Sequence, residues 1–368
     1  MIHNKNHIKS LEIKNFKSIK KLSADCSRIN IFIGEPNSGK SNILEALSLF
    51  SVPYIEKGDQ KSRFGQNMIR YEQINNLFYD MEITNPIEIK TSIGYGTLRW
   101  HKGLDFYDLV FSSYKSILKK AVLSNTYHNY KQDLKRYFDD PVQLELPIKP
   151  YILSFKNDGL FTDNDFDLSY VTPIKRYDFN NLFTGEFKNT FAGFLVPDGS
   201  NLFTIFQINK DLRDFAGKLF KKYKLELLQD YTTKKFEIQK RKNNVSYKIP
   251  FSLVADTYQR LIYNIAAIYS NRDSILLFEE PENHSFPPYV QTLCQNIQNS
   301  ETNQFFITSH SPYLINYFIE EKDLWPEVSI FYTYYENFQT KIKKLSDEDI
   351  LNIWGNGTDV FFNLQNFK

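Results

Sequence analysis

Apolar positions fall into two rhythms separated by a looser middle. Ile8, Leu11 and Ile13 mark a first strand, and Ile29-Asn30-Ile31-Phe32-Ile33 is an unbroken run of the kind buried on both faces. After a Gly-containing turn, Ile43, Leu44, Ala46, Leu47 and Phe50 recur at helical spacing, and Pro53 closes that helix. From about Gly58 to Asn201 the pattern loosens. Residues 87–93 alternate as a strand, Gly94-Tyr95-Gly96 turns into a second at 97–100, and residues 106–138 read as helix. Strand-like pieces follow at Tyr151–Phe155 and Tyr170-Val171-Thr172. Beyond Gly199, Leu212 to Leu227 reads as a helix and residues 234–248 as a hairpin turning at Lys242-Asn243-Asn244.

The last third is regular again. Tyr258–Tyr269 and Tyr289–Ile297 read as helices, Ser274–Phe278 and Gln304–Thr308 as buried strands. This αβαβ alternation predicts a mainly parallel sheet with helices on its faces. No apolar heptad is sustained, so no long coiled coil is expected.

Composition narrows the class. At 368 residues, 42% hydrophobic and 24% charged, the chain can fold into two or three globular units. A net charge of +2 provides no global drive toward nucleic acid, leaving only local patches. Cys26 and Cys294 have no metal-ligand spacing and fit a reducing compartment. The first residues lack a secretory apolar core and no run approaches ~20 apolar residues. The expectation is a cytoplasmic protein with no membrane contact.

Candidate chemistry enters where strand gives way to helix. Gly34-Glu35-Pro36-Asn37-Ser38-Gly39-Lys40-Ser41, followed by Asn42, fits G-x-x-x-x-G-K-[ST] at every fixed position. The glycines let successive N–H groups point inward as an anion nest, the helix start adds positive potential, Lys40 reaches the terminal phosphates and Ser41 can take a magnesium position. A chance Gly-rich turn is the ordinary alternative, disfavoured by the strand before and the helix after.

Two later strand ends carry matching polar groups. The run Ile275-Leu276-Leu277-Phe278 ends in Glu279, placed to organise a metal, and Glu280, placed to polarise an attacking water. Asp is the usual choice at the position of Glu279. The run Phe305-Phe306-Ile307-Thr308 ends in Ser309-His310-Ser311-Pro312, where His310 can reach a γ-phosphate or the attacking water. Solvated glutamates and a structural histidine are the plain readings of the same residues.

Taken together, GEPNSGKS, LLFEEPENH and FFITSHSPYLI resemble the ABC-type ATPases of the SMC, RecF and OLD (overcoming lysogenisation defect) superfamily, and most of all the stand-alone bacterial "AAA family ATPase" proteins often found near anti-phage genes. Residues 13–19 also resemble that group's opening strand and turn. The likeness covers residues 8–55 and 250–315 well and the middle in outline. It implies an α/β fold, a P-loop NTPase head with a mainly parallel sheet, an antiparallel β lobe and an α+β insertion. The division it implies is 1–57 for the N-terminal part of the head, 58–201 for the β lobe and helical insertion, and 202–368 for the C-terminal part of the head.

The resemblance also implies ATP with Mg2+, and two heads closing over two nucleotides as a homodimer. The segment completing each site from the opposite head falls at residues 254–261, where Ala255 and Thr257 replace the family's Ser and Gly. Asp256 or Thr257 would then substitute, or hydrolysis would be slow, and Arg260 would brace the helix rather than touch phosphate. His284 is expected at the head-to-head interface. A magnesium-sensing glutamine is expected at Gln73. No nuclease domain of the OLD type is expected in the 56 residues after Pro312, which would finish the head, and Asp347-Glu348-Asp349 reads as a helix cap.

Three functions compete at this stage. The preferred one is a Mg2+-dependent ATPase gating a partner effector encoded nearby. The alternative is an ATP-dependent DNA or RNA clamp with slow hydrolysis, using Lys218, Lys221, Lys222, Lys224, Lys234, Lys235, Lys240, Arg241 and Lys242 with Phe220, Tyr223 and Phe236 interleaved. A solvated helix face and hairpin rim is the ordinary reading of those cations, and the small net charge favours it. A small-molecule kinase is the weakest, since it gives the Glu279-Glu280 strand end no task.

Overall fold

Which side of the central sheet a residue faces decides which of two cores it joins. The computed structural model describes residues 6–54, 63–65, 68–101, 106–113, 148, 151–161, 172–179, 193–356 and 360–367. The central sheet contains β3 (Ile29–Ile33), β8 (Ile174–Tyr177), β12 (Ile275–Glu279), β13 (Gln304–Thr308), β14 (Val328–Glu336) and β15 (Gln339–Lys344). Their order is β15-β14-β3-β13-β12-β8. All neighbours are parallel except the β14–β15 hairpin at the edge. Every residue of β3 and β13 is buried, which is why these strands read as continuous apolar runs.

Side chains alternate across this sheet. Ile29, Ile31, Ile33, Leu276, Phe278, Phe305 and Ile307 enter one core with the helices α4 (Asp256–Ser270), α5 (Pro287–Asn299) and α6 (Pro312–Glu320). Phe32, Ile275, Leu277, Phe306 and Phe331 enter the other, against α1 (Lys40–Ser48) and an antiparallel lobe. That lobe is β1 (Ser10–Phe16), β2 (Ile19–Asp25), β4 (Ile87–Thr91), β5 (Tyr95–His101), β6 (Phe106–Ser112) and β7 (Tyr151–Phe155), ordered β2-β1-β4-β5-β6-β7.

A third sheet of β9 (Glu226–Asp230), β10 (Lys235–Lys242) and β11 (Val245–Pro250) follows the short helices α2 (Leu202–Ile208) and α3 (Lys210–Lys221). Asn243 and Asn244, both left-handed at φ 51° and 61°, make the expected hairpin turn. The last helix, α7 (Asp347–Asn356), is capped by Ser346 and Asp349, whose carboxylate accepts from the Ser346 N–H at 2.8 Å. The acidic tail segment is therefore a cap. β14 and β15 also show the residues after Pro312 completing the sheet.

The mixed α/β class with a mainly parallel sheet is thus present, and the longest described helix has 15 residues. No helix among the described residues is long and apolar enough to cross a membrane. Three details differ from the pattern reading. Phe106–Ser112 is a strand, not a helix: all seven residues are buried between β5 and β7, and such a run carries no period to distinguish the two. The rest of that expected helix, 114–138, lies outside the described residues, as do Tyr170 and Val171. Near them the strand forms at Ile174–Tyr177 instead. Helix α3 stops at Lys221, because Lys224 turns left-handed at φ 58° and the chain pairs onward as β9. β2, with Ile19, Leu22 and Ala24 inward, was not anticipated.

Candidate nucleotide site

The loop between β3 and α1 has the shape its glycines allow. Gly39 sits at φ 97° and Gly34 at φ 154°. A Cβ on Gly34 would lie 2.1 Å from the Thr333 carbonyl oxygen, and one on Gly39 would lie 2.0 Å from Thr340 Oγ1, so both positions exclude any side chain. Asn37 is left-handed too, at φ 61°. Thr340 braces the loop from β15, its hydroxyl donating to the Ser38 carbonyl at 3.0 Å. No side chain caps α1 and its first turn holds no acid, so the positive potential of its start is left to a ligand, although the Asn42 N–H donates to the Gly39 carbonyl at 3.1 Å. The Ser38 hydroxyl is buried with no hydrogen-bond partner. This is a built anion site.

Lys40 turns back over the loop and donates to the Gly34 and Glu35 carbonyls, both at 2.9 Å. Burial pulls its pKa down to about 8, against the opposing fields of Glu280 and Glu279. Ser41 lies close enough to the Glu279 carboxylate to favour its charged form. Burial raises the Glu279 pKa, but Arg176, Ser41 and Arg70 outweigh it and leave it below the usual carboxylate range. A hydroxyl and a carboxylate this close fit Mg2+, a hard cation that takes few protein oxygens and completes its shell with water and phosphate. No cluster of three His, Cys, Asp or Glu side chains able to hold a metal exists among the described residues.

Glu280 follows in a left-handed conformation at φ 43°, sparsely populated for a side chain of this size and held by its N–H donating to the Thr308 carbonyl at 3.0 Å. Its carboxylate lies 3.4 Å from His310 Nε2 and accepts from Asn283 Nδ2 at 2.6 Å. Burial lowers the His310 pKa, Lys40 lowers it further, and Glu280 opposes both. The three distant segments named by the sequence therefore meet at the C-terminal ends of β3, β12 and β13, where open α/β sheets bind ligands.

A family model described as "AAA domain, putative AbiEii toxin, Type IV TA system" matches residues 29–316. The chain belongs to this family. Membership makes it a P-loop NTPase, as the motifs imply. It is also similar to a protein of Helicobacter pylori (strain ATCC 700392 / 26695) named "ATP/GTP phosphatase", 21% identical over 360 residues that cover 88% of this chain and 91% of that one. Among solved structures, an SMC head bound to the C-winged helix domain of ScpA is 14% identical, covers 94% of this chain and 100% of its own, and has a TM-score of 0.49. The SMC head domain of Thermotoga maritima is 13% identical, covers 92% and 99%, and has a TM-score of 0.40.

Two of the family member's expected site residues stand elsewhere in the chain's hydrogen bonding. Asp256 and Thr257 open α4, where Asp256 pairs with Arg260 at 2.6 Å and the Thr257 hydroxyl donates to the His284 carbonyl. Arg260 also lies 4.9 Å over the Phe179 ring, so it does brace the helix. Gln73 is exposed at the start of a 3₁₀ turn and accepts from Asn157 Nδ2 at 3.3 Å. The residue from that segment that contacts Glu279 is Arg70.

Sequence reasoning missed four participants. Arg176 on β8 and Arg70 both pair with Glu279. Glu45 on α1 is fully buried between Lys17 and Arg70, and a buried charge without such partners would cost several kcal/mol. Glu282 is buried behind the Glu280 turn, one oxygen accepting from the Ser309 hydroxyl at 2.6 Å and the His310 N–H at 3.1 Å, and burial raises its pKa. It ties the Glu280 turn to the His310 loop. The pairings of Arg176 and Arg70 with Glu279 span 103 and 209 residues, and no local pattern announces them.

Of the interleaved aromatics near the basic residues, Phe220 and Phe236 are core residues and present no face to a ligand. Tyr223 is exposed and shares a hydrogen bond with the Tyr258 hydroxyl at 3.0 Å.

Proposed function

We propose that the chain is a Mg2+-dependent ATPase that pairs with a second copy on binding ATP and uses the cycle to gate a partner effector protein, in the cytoplasm and in anti-phage defence. The observation that carries the hydrolytic part is the meeting of Glu280 with His310, 3.4 Å apart beside the phosphate loop. In this reading the loop from Gly34 to Asn42 wraps the phosphates, with the N–H groups around Ser38 and Gly39 and the Lys40 ammonium as donors. Ser41 and Glu279 would hold Mg2+, which would supply neutralisation of phosphate charge. Glu280 takes the proton of the attacking water, and His310, its pKa lowered, serves as a neutral hydrogen-bonding partner to that water or the terminal phosphate. The name of the Helicobacter pylori relative, "ATP/GTP phosphatase", supports the same chemistry.

Pairing is supported by the surface around α4. Leu253 and Phe286 are 75% and 62% exposed beside the segment that holds Asp256 and Thr257, an apolar pair suited to contact with a second copy. Gating is supported by the family description, which names a toxin and a type IV toxin–antitoxin system. Light scattering on Glu280→Gln with ATP and Mg2+ tests the pairing. A doubled mass is expected; a monomer carrying bound ATP would end the dimer reading while leaving the ATP site standing.

A nucleic-acid clamp remains the second reading, favoured by one observation. Lys240, Arg241 and Lys242 are exposed at the end of the β10–β11 hairpin, beside Tyr247 at 54% exposure. Binding should then be salt-sensitive and weaken when the three cations become Ala. Equal binding by that variant would remove the hairpin from consideration.

A further inference from the structure

Around Glu279 the chain keeps more positive charge than one carboxylate needs. Arg176 Nη2 bonds one oxygen, Arg70 Nη2 lies 3.3 Å from the other, and nearby Ser41 also favours the charged carboxylate. The two guanidiniums are not equivalent. Arg176 is 3% exposed on β8 and also reaches the Ser48 hydroxyl at 3.3 Å from its Nη1. It is part of the core. Arg70 lies in an irregular segment, and its side chain is 69% exposed.

Arg70 also pairs with Glu45, Nε to Oε1 at 2.8 Å. Glu45 has Lys17 as a second, well-buried cation, just as Glu279 has Arg176. Withdrawing the Arg70 side chain therefore leaves neither acid unpaired. The usual penalty for breaking a buried pair, an orphaned charge, does not arise. Of the cations around the phosphate loop, Arg70 is the one built to leave.

We propose that Arg70 holds the place of the nucleotide's divalent metal: guanidinium and metal are alternative partners of Glu279, and the metal binds as Arg70 swings off. The inference rests on the reading of this site as a Mg2+–nucleotide centre. Its physical basis is charge. A divalent ion held between Ser41 and Glu279 would stand within a few ångströms of the Arg70 guanidinium, and like charges at that distance in a half-buried site repel strongly. Lys40 meets no such conflict, because its ammonium points to the Gly34 and Glu35 carbonyls. In the resting chain Arg70 keeps Glu279 paired and sets a threshold that metal must exceed.

The test uses Mn2+ as the probe, its free concentration followed by electron paramagnetic resonance with the full chain and a non-hydrolysable ATP analogue. Wild type, Arg70→Ala, Arg70→Gln and Arg70→Lys are compared, with affinity for a fluorescent nucleotide in EDTA as the control on the loop. Arg70→Ala and Arg70→Gln should bind Mn2+ about three- to fivefold more tightly, the factor that loss of a partly exposed ion pair corresponds to. Arg70→Lys should stay near wild type, and nucleotide affinity in EDTA should change less than about twofold. Unchanged or weaker Mn2+ binding in the neutral variants, with nucleotide still bound, would overturn the inference while leaving the nucleotide site intact. Loss of nucleotide binding by wild type itself would overturn the site reading and this inference together. If Arg70→Ala does not fold, Arg70→Gln, which keeps the side chain's bulk, decides.

Discussion

Two helices begin near nucleotide-type sequence, and they begin differently. At α1 the chain arrives through Gly39 at φ 97°, no side chain caps the first turn, Lys40 turns back to the Gly34 and Glu35 carbonyls, and Ser41 lies near Glu279. At α4 the chain arrives through Ala255, Asp256 occupies the first turn and pairs with Arg260, and the Thr257 hydroxyl is taken by the His284 carbonyl. The first start offers its dipole and N–H groups to an anion. The second places an acid there, which complements the dipole itself and repels phosphate. A functional helix start is recognised by what it leaves open, and by that measure the phosphate loop of this chain is committed to a ligand while the start of α4 is occupied within its own protomer.

The contrast sharpens into measurements. The largest effect should come from Lys40→Ala, which removes the cation from the open start: affinity for ATP should fall about a hundredfold, read by titration with a fluorescent analogue. A smaller but graded effect should follow pH. The lowered pKa of Lys40, about 8, means the free protein loses that charge as pH rises through 8, whereas bound phosphate would favour the charged form. Affinity should therefore be flat below pH 7 and fall by up to about tenfold per unit above 8, and Lys40→Arg should abolish the slope. The smallest effect should come from Thr257→Ala, less than about twofold in ATP affinity, because the hydroxyl is spent on His284. A large loss there would mean that the start of α4 reorganises to meet nucleotide, and the contrast would fail.

Much of this arrangement was legible because the informative residues sit at the ends of fully buried strands. Ile29–Ile33 and Gln304–Thr308 were bounded correctly because their apolar runs are short and end in polar chemistry. Phe106–Ser112 was misread for the same physical reason: burial on both faces erases the period. The end of α3 was invisible because a lysine, not a glycine, takes the left-handed position at 224. At the site, the residues proposed to hold phosphate follow a local spacing rule, whereas Glu45, Arg70, Arg176 and Glu282 act through pairings made only by the fold. Such partners have no sequence spacing to read. Composition could not say that Phe220 and Phe236 belong to the core rather than to a basic face.

The most direct test of the account is single-turnover phosphate release from Mg2+–ATP by wild type and by Glu280→Gln, with bound nucleotide identified after rapid separation. If one triphosphate lies between the loop, Glu280 and His310, the variant should hold intact ATP about as tightly as wild type and release phosphate at least about a hundredfold more slowly. Release at the wild-type rate from the variant would show that Glu280 does not serve the water, and the account of this site would be wrong.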